Sequence, residues 1–441
     1  MIRRLLFFVL AFVSVPALHA QWVPGGIFAT SVHFQACAFH NLDSGLFVYG
    51  ANNPGPFSFA TEGGLILTDN GDMSGGYYVW YRPSMNLEDI DVKMVAGKPL
   101  YLAAGHELYN RSVIVHSYDF PAQPMAFDSV RTGTGRYYRA VRIRNDLAAF
   151  AAGGNSAGDG IIDMSVDTGS TWANIAVLPG QPVSRLHFVN NALGFAATGG
   201  YSRLNNDGIL LPDSGAIYRT TNGGLNWLQI HADATNGFSD VAFSSATNGV
   251  ATRNDGVILR TTNGGDTWNV ASVTLPGPFV MTSVTFRQDG AGFATCYRTD
   301  GTSGFILLSE DDGAMWNLHF STASFNHSRR IYDLYFYDSA HGYASTQIRP
   351  LRTNGIVTEV PELTEEGFAV FPNPCTDIVT VKADDAVKGS IHLVDALGRV
   401  VRTIPMMGGS LTIDVHDLPT GNYVVRVTTA AGSKTTRLLR M

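Results

Sequence analysis

The chain of 441 residues contains few charged side chains and few cysteines. Charged residues make up only 15% of the sequence, and the formal net charge is −7. A weakly acidic protein has no electrostatic attraction to nucleic acid or to an anionic membrane, so neither is expected as a partner. The three cysteines, Cys37, Cys296 and Cys375, are too few to form a disulfide framework.

Several motifs of catalysis and metal binding are also missing. The sequence has no CxxC pair, no HExxH motif, no Gly-x-Ser-x-Gly elbow and no phosphate-binding Walker loop. The histidines show no spacing typical of metal ligands. These absences argue against a structural zinc site and a zinc protease, and we expect neither a metal nor a cofactor.

One apolar run stands out, and it lies at the N-terminus. Arg3 and Arg4 precede an apolar stretch, 5–15, which is too short to span a bilayer comfortably. Pro16 then breaks the helix, and Ala20 supplies a small residue before a predicted cleavage site. This pattern predicts a secretory signal peptide over residues 1–20, with a membrane anchor as the alternative. No other segment is apolar for long enough to predict a transmembrane segment in the mature chain.

Glycine, by contrast, is abundant at 47 residues. Few charges and many turn residues favour an all-β protein. A pattern of hydroxyl residue, x, Asp or Asn, x, Gly, x, x, Trp occurs four times, at intervals of 41 to 55 residues that are typical of propeller blades. Its residues are Ser165, Asp167, Gly169 and Trp172; Thr220, Asn222, Gly224 and Trp227; Thr261, Asn263, Gly265 and Trp268; and Ser309, Asp311, Gly313 and Trp316.

These four segments have the chemistry of a hairpin turn. The hydroxyl and the Asp or Asn side chain can bond to backbone groups of a tight turn, and the glycine accepts a positive φ. The tryptophan then anchors the outgoing strand. A catalytic role for the acids is the alternative, but residues that stabilise their own turn are poorly placed to face a substrate.

A second landmark precedes each turn. It is a short alternating strand that ends in a bulky apolar residue and is followed by glycine, as in 240–243 before Gly249. Stronger and weaker copies together give seven repeats between about 32 and 357. Each repeat predicts four strands, or one blade, and seven blades close a ring that protects the strand edges. Six or eight blades are the alternatives.

The repeated turn resembles the Asp box of bacterial-neuraminidase-repeat β-propellers. The Thr-Thr-Asn-Gly-Gly-x-x-Trp form is most similar to photosystem II assembly factors and to xyloglucanase-type glycoside hydrolases. The resemblance covers roughly residues 32–357 and implies an Asp-box propeller domain over 21–357, most simply one of seven blades. It implies little about function, because enzymes and non-enzymes share this turn.

The C-terminal part follows a different pattern. The acidic stretch 358–367 reads as a linker, and 368–441 contains about seven short strands, which suits a small β-sandwich. Its landmarks are Pro372, Asn373, Pro374, Gly398, Gly421 and Tyr423. They resemble the type A sorting domain of the type IX secretion system of Bacteroidetes-like bacteria. That resemblance implies Sec export, type IX machinery as a partner of 368–441, and release or surface attachment. A carbohydrate-binding sandwich is the alternative.

The propeller sequence contains two groups of residues that could act on a ligand. Tyr138, Arg139, Arg142 and Arg144 form a basic and aromatic cluster, which we predict to bind ligand because Arg matches carboxylates. An exposed or channel-lining strand is the alternative for it. Asp91, Asp240 and Asp333 are candidate acids for an inverting glycosidase, which needs two carboxylates. Such acids more often cap a strand.

The sequence therefore predicts an exported binding or scaffold propeller at the cell surface or outside the cell. Its ligand is expected to be a glycan or a protein, held on the loop face or in the central channel. The alternative is a glycoside hydrolase, sialidase-like or xyloglucanase-like. The Arg-Ile-Pro signature of sialidases is absent, which weighs against that enzyme.

Overall fold

The computed structural model describes two compact units, one spanning 20–355 and one containing 356–441. The described residues are 22–24, 33–50, 62–69, 77–107, 111–117, 127–200, 214–275, 277–324, 330–347, 350–353, 368–371, 375–383, 388–395, 399–407, 410–429 and 432–440. The predicted signal peptide and linker lie outside them. Among these residues, no helix has the length and apolarity needed to cross a membrane.

The first unit is built from blades in which consecutive strands pair antiparallel. One residue pair, Gly50 with Asn86, also joins the first two blades into one sheet, and a two-residue strand adds to the sixth blade in parallel. The strands begin with β1 (Trp22–Pro24), which belongs to the last blade. Blade 1 contains β2 (His33–Phe39), β3 (Gly45–Gly50), β4 (Glu62–Thr68) and β5 (Tyr77–Pro83). Blade 2 contains β6 (Met85–Val95), β7 (Lys98–Glu107), β8 (Arg111–Ser117) and β9 (Asp128–Thr134). Blade 3 contains β10 (Arg136–Ile143), β11 (Ala149–Asn155), β12 (Gly160–Ser165) and β13 (Ala173–Leu178).

The remaining blades follow the same plan. Blade 4 contains β14 (Val183–Phe188), β15 (Gly194–Thr198), β16 (Gly215–Thr220) and β17 (Leu228–Asp233). Blade 5 contains β18 (Phe238–Phe243), β19 (Gly249–Arg253), β20 (Ile258–Thr261) and β21 (Asn269–Val270). Blade 6 contains β22 (Ser272–Val273), β23 (Phe279–Phe286), β24 (Gly292–Arg298), β25 (Gly304–Ser309), β26 (Met315–Ser321) and the 3-10 helix η1 (Thr322–Ser324). Blade 7 contains β27 (Ile331–Phe336), β28 (Gly342–Thr346) and β29 (Leu351–Thr353).

The blades form a closed ring. The innermost strands β2, β6, β10, β14, β18, β23 and β27 each contact the innermost strands of both neighbouring blades, and β27 contacts β2. The N-terminal strand β1 pairs with β29 and completes blade 7. A ring of antiparallel sheets in which the N-terminal strand closes the last blade is a β-propeller, so the predicted fold class is confirmed, with seven blades in the described part of the chain.

Every innermost strand carries a β-bulge at an equivalent position. Because residues two apart lie on the same face of a strand, the bulges align two layers of residues around the axis. The first layer, which directly follows each bulge, is Ala36, Asp89, Ala140, Arg185, Asp240, Ser283 and Asp333. The second layer, two residues later, is Ala38, Asp91, Arg142, His187, Ala242, Thr285 and Tyr335.

The strand-and-glycine landmark has a packing role. The aromatic residue that ends an innermost strand lies opposite the first glycine of the next strand, as Phe243 does opposite Gly249. A Cβ on Gly249 would be 2.5 Å from that ring, so glycine is required there. Because Gly249 has no side chain, the Phe243 ring can stack on a ring of the preceding blade. The centroids of the Phe243 and Phe195 rings are 3.6 Å apart. Phe39, Phe188 and Phe336 likewise contact an aromatic ring of the preceding blade, so these landmarks join neighbouring blades.

The second unit contains two sheets with one shared core. Its strands are β30 (Phe368–Phe371), β31 (Ile378–Ala383), β32 (Lys388–Asp395), β33 (Val400–Met407), β34 (Ser410–Asp414), β35 (Gly421–Thr429) and β36 (Gly432–Arg440). One sheet has the order β30-β31-β34 and the other β33-β32-β35-β36. Val381 and Ile413 of the first sheet pack with Ile391 and Val425 of the second. This is the small β-sandwich predicted from the sequence.

Candidate functional site

The innermost strands surround a cavity of about 230 Å³ at the centre of the propeller. Blades 2 to 7 contribute polar side chains from both layers, and blade 1 contributes Cys37. The lining includes four carboxylates, two arginines and a histidine: Asp89, Asp91, Asp240, Asp333, Arg142, Arg287 and His187. Within the described residues, no group of three or more His, Cys, Asp or Glu side chains is placed to hold a metal ion.

Most of the cavity carboxylates bond to the backbone of the next blade. Asp89 accepts from the Val141 N–H at 3.0 Å, and Asp91 accepts from the Ile143 N–H at 2.7 Å. Asp240 accepts from the Val284 N–H at 2.9 Å. An innermost strand has no sheet partner on its axial side, so its N–H groups need acceptors from elsewhere. These acids therefore join neighbouring blades as well as lining the cavity.

Arg142 lies on the cavity wall between acidic neighbours. Its Nη1 donates to Asp89 Oδ2 at 2.5 Å and to the Val141 carbonyl at 2.6 Å. The side chain is 29% exposed, and all its hydrogen bonds within the described residues use Nη1. Burial lowers the pKa of Arg142, but the carboxylates of Asp89 and Asp91 raise it by more, so the side chain stays charged. Its other guanidinium donors are available to a ligand.

His187 is the neighbour of Arg142 in the second layer, on blade 4. Its Nε2 accepts from the Phe243 N–H at 3.3 Å. Burial, and secondarily the charge of Arg142, lowers the pKa of His187 to about 4, so the ring is neutral at pH 7. A neutral ring that accepts at Nε2 carries its proton on Nδ1, which makes His187 a donor on the cavity wall.

Asp240 and Asp333 meet at Ser283 in the first layer. The Ser283 hydroxyl lies 2.9 Å from Asp240 Oδ2 and 2.7 Å from Asp333 Oδ1. Burial raises the pKa of Asp240 to about 6, and the charge of Asp333 acts in the same direction. The charge of Arg185 and the Val284 N–H partly oppose this shift. Burial dominates because both carboxyl groups are more than nine-tenths covered.

Arg185 completes the polar part of the first layer. Its side chain is 3% exposed, and Nη1 donates to the Arg139 carbonyl at 2.7 Å. Nη1 also lies 3.8 Å from Asp89 Oδ2. Within the part of the chain that the structure describes, Nε and Nη2 of Arg185 have no hydrogen-bond partner. Two buried donors are therefore available beside Asp89.

The structure separates the other three residues of the predicted basic cluster from the cavity lining. Tyr138 is buried, and its hydroxyl contacts Asp163 and Thr132. Arg139 donates to the Gly200 carbonyl at 3.0 Å and covers the Tyr137 ring. Arg144 donates to the Gly223 carbonyl at 2.6 Å, in the turn of the next blade. Their ligand-binding role stays a prediction, and only Arg142 lines the cavity.

The four repeated turns have one geometry. In the first, Gly169 N–H donates to Ser165 Oγ at 2.9 Å, and Ser165 Oγ donates to Asp167 at 2.8 Å. Trp172 Nε1 donates back to the Gly169 carbonyl at 2.8 Å. The same bonds recur around Gly224 and Gly313, and around Gly265 without the tryptophan bond. The acids of these turns bond within the turn.

The box glycines also pack on the preceding blade. Gly169, Gly224, Gly265 and Gly313 have φ values of 93°, 93°, 92° and 84°. A Cβ on Gly224 would be 2.6 Å from the Phe150 ring of blade 3, and one on Gly313 would be 2.5 Å from Val250 of blade 5. The turn and the inter-blade contact therefore both require glycine at this position.

Several residues of the two layers were not singled out from the sequence. Asp89, Arg185, His187 and Ser283 belong to the two layers, but only the bulges show which residues face the axis. Counting back three residues from the aromatic end of each innermost strand would have found Arg185, Asp240, Ser283 and Asp333. In blade 2 the bulge places Asp89, and not the candidate acid Asp91, at the position equivalent to Asp240 and Asp333.

The sorting landmarks are partly described. Tyr423 is buried in the sandwich core, and its hydroxyl donates to the Pro419 carbonyl at 2.7 Å. Gly421 begins β35. Pro372, Asn373, Pro374 and Gly398 lie outside the described residues.

Comparisons with known proteins identify the second unit and the fold of the first. A family described as the secretion system C-terminal sorting domain matches residues 369–440. That match confirms the predicted sorting domain, and it indicates an interaction with the type IX secretion machinery and export to the cell surface or beyond. No curated protein matches the sequence.

Two solved structures are similar to the propeller. One, titled YCF48 bound to D1 peptide, has a TM-score of 0.53 and 15% identity, and the match covers 75% of this chain and 96% of that chain. The other, YCF48 from Cyanidioschyzon merolae, has a TM-score of 0.51 and 14% identity, with 76% and 99% covered. At this identity the similarity shows the fold alone.

Proposed function

We propose that this chain is an exported binding protein whose central cavity holds the terminal sugar of an extracellular glycan. The observation that carries the proposal is the mixed chemistry of the cavity wall. Arg142 and His187 supply donors, Asp91 supplies acceptors, and Tyr335 and Phe336 supply aromatic surface. Sugar hydroxyls both donate and accept, and the C–H face of a sugar packs on aromatic rings.

The size of the cavity supports a single sugar ring. Its volume of about 230 Å³ is smaller than the ~300–1,000 Å³ of sites for drug-sized ligands. A single ring or a single side chain fits this space, and a longer segment has to lie on the rim. Arg287 and Gln288, which also line the cavity, belong to the connection after β23 and lie where such a rim contact would form.

The two arginines predicted from the sequence allow a matched test on a glycan array with the full-length chain. Arg142→Lys keeps the charge beside Asp89 but loses the planar donors, so we expect affinity for the best glycan to fall at least about tenfold. Arg144→Lys changes a side chain outside the cavity lining and should leave affinity unchanged. Equal losses in both variants, or no glycan bound at all, would contradict the proposal.

A peptide ligand is the competing outcome of that test. One similar structure is titled as YCF48 bound to a D1 peptide, which is a property of that protein. A single side chain of a partner protein also fits the cavity. Binding to peptide libraries but to no glycan would favour this ligand class over sugars.

The arrangement of Asp240 and Asp333 favours a glycoside hydrolase as the second candidate function. A carboxyl group with a raised pKa can serve as general acid, and the pKa of Asp240 is about 6. Both acids are buried and hydrogen-bonded, which limits their access to a substrate. Hydrolysis of sialosides or xyloglucan by the full-length chain, lost in Asp240→Asn, would support the enzyme.

The proposal includes the route to the destination. Residues 1–20 direct Sec export, 21–357 form an Asp-box propeller, 358–367 form the linker, and 368–441 engage the type IX machinery. The four similar turns support the Asp-box assignment, because each uses its hydroxyl, its Asp or Asn side chain and its glycine in the same hydrogen bonds. The mature propeller would then be displayed on the surface or released.

A further inference from the structure

The two contacts of the Ser283 hydroxyl determine how many protons Asp240, Ser283 and Asp333 must hold between them. Its Oγ lies within hydrogen-bond distance of Asp240 Oδ2 and of Asp333 Oδ1, at 2.9 Å and 2.7 Å. A serine hydroxyl donates one proton, and an ionised carboxylate donates none. Ser283 can therefore donate to only one ionised aspartate. The second short contact requires a proton on one of the two carboxyl groups.

We propose that Asp240, Ser283 and Asp333 form a proton latch, in which one bound proton joins the innermost strands of blades 5, 6 and 7. The protonated carboxyl group donates to Ser283 Oγ, and the Ser283 hydroxyl donates to the ionised carboxylate. Ser283 lies between the two carboxyl groups, so one proton serves both contacts. The Val284 N–H, 2.9 Å from Asp240 Oδ2, ties the latch to the backbone of β23.

The cations around the latch are too few to neutralise all the nearby carboxylates, which favours a bound proton. Arg142 and Arg185 are the cations that face Asp240, and both favour its ionised form. Arg142 already donates to Asp89 at 2.5 Å, and Arg185 Nη1 lies 3.8 Å from that same carboxylate. Each arginine is therefore shared with Asp89.

Two other titratable neighbours, His187 and Cys37, are neutral at pH 7. His187, whose pKa is lowered to about 4 by burial and by Arg142, is uncharged at pH 7. Burial, and then the charge of Asp333, raises the pKa of the Cys37 thiol, which is also uncharged. Asp91 faces Arg142 and bonds to the Ile143 N–H at 2.7 Å. Arg287, the remaining cation among the described lining residues, pairs with Asp289 at 2.6 Å.

The latch makes the stability of the propeller depend on pH. The pKa of Asp240 is about 6 in the folded chain, above the value of about 3.9 for an unfolded aspartate. A raised pKa means that the folded state holds the proton more tightly. The stabilisation is fully present below about pH 4 and is lost as the pH rises through 6. The difference between the folded and unfolded pKa of Asp240 corresponds to about a hundredfold change in the ratio of folded to unfolded chain between low and neutral pH.

Infrared spectroscopy of the full-length chain tests the latch directly. A buried protonated carboxyl group gives a C=O band that is distinct from that of a carboxylate. We expect part of this band to disappear with a midpoint near pH 6 as the pH is raised from about 4 to about 8. Asp333→Asn should remove that component, because the Asn amide donates to Ser283 and Ser283 then donates to an ionised Asp240. Asp338→Asn, on the same blade as Asp333 but outside the cavity lining and paired with His341, should leave it unchanged.

Two results would overturn the proposal. One is a wild-type band with no component titrating near pH 6, and the other is a component that survives Asp333→Asn. If Asp333→Asn does not fold, Ser283→Ala replaces it. That variant keeps the buried carboxyl group but removes its acceptor, so the band should shift in frequency. An unshifted band in Ser283→Ala would show that no proton is donated to Ser283.

Discussion

At the scale of single residues, glycines decide how closely neighbouring blades approach. Gly224 and Gly180 both have positive φ values, 93° and 96°. They differ in surroundings: a Cβ on Gly224 would be 2.6 Å from the Phe150 ring, whereas a Cβ on Gly180 has no atom within 4 Å. The pair therefore separates backbone strain from inter-blade packing.

We expect Gly180→Ala to destabilise the propeller by about 1–3 kcal/mol, the effect of a non-glycine residue at this φ. Gly224→Ala should lower the free energy of unfolding by about 1–3 kcal/mol more than Gly180→Ala does, because its methyl group also displaces the Phe150 ring. Urea denaturation of both variants measures the difference. Equal losses in the two would show that the Gly224 contact adjusts without strain.

Local chemistry explains which residues the sequence revealed. The four turns were predictable because their hydroxyl, their Asp or Asn side chain and their glycine bond to one another, and in three turns the tryptophan does too, all within eight consecutive residues. The cavity residues were not, because Asp89 bonds to Val141 and Ser283 bonds to Asp333, each about 50 positions away in the sequence. Arg142 and Arg144 have the same chemistry in the sequence, and only the fold distinguishes the cavity wall from the inter-blade contact.

At the scale of elements, a strand of three residues closes the ring by pairing with a distant part of the chain. β1 has three residues and pairs with β29, from the other end of the propeller. Trp22 is 1% exposed and meets the Phe336 ring edge-on at 6.0 Å between centroids. Three residues carry no strand periodicity, so the sequence predicted a closed ring without showing which strand closes it.

Trp22→Ala should open this closure. Loss of a fully buried aromatic side chain destabilises a protein by about 3–5 kcal/mol, and here the effect falls on the strand that shields β29. We expect faster amide hydrogen exchange at 351–353 in Trp22→Ala and little change in Trp22→Phe, which keeps an aromatic ring beside Phe336. Unchanged exchange in Trp22→Ala would show that β29 is held without β1.

Blade 2 shows where periodicity misleads at this scale. Its two inner strands, β6 and β7, have 11 and 10 residues and are longer than the inner strands of the other blades. The longer strand allows either Asp89 or Asp91 to be matched with Asp240 and Asp333, and the bulge places Asp89 at the equivalent position. Blades 4 to 6, with shorter strands and a good turn in each, left no such choice.

At the scale of the whole molecule, the two units have separate tasks and separate cores. The sorting sandwich buries Val425 completely, whereas its neighbour Val424 is 36% exposed. All strands of the propeller, including the closing strand β1, lie within 20–355. The propeller therefore holds its own ring closed, and the sorting sandwich carries its own core.

Truncation after residue 367 should separate these tasks. In a bacterium with a type IX secretion system, we expect the truncated chain to remain inside the outer membrane while its propeller unfolds at the temperature of the full-length chain. Val425→Asp should block export in the same way, because a charge in the sandwich core unfolds the sorting domain. Val424→Ala removes an exposed side chain and should be exported normally. Cell fractionation measures export, and calorimetry measures unfolding. Export of the truncated chain would show that 368–441 is dispensable, and a lower unfolding temperature would show that the propeller depends on its tail.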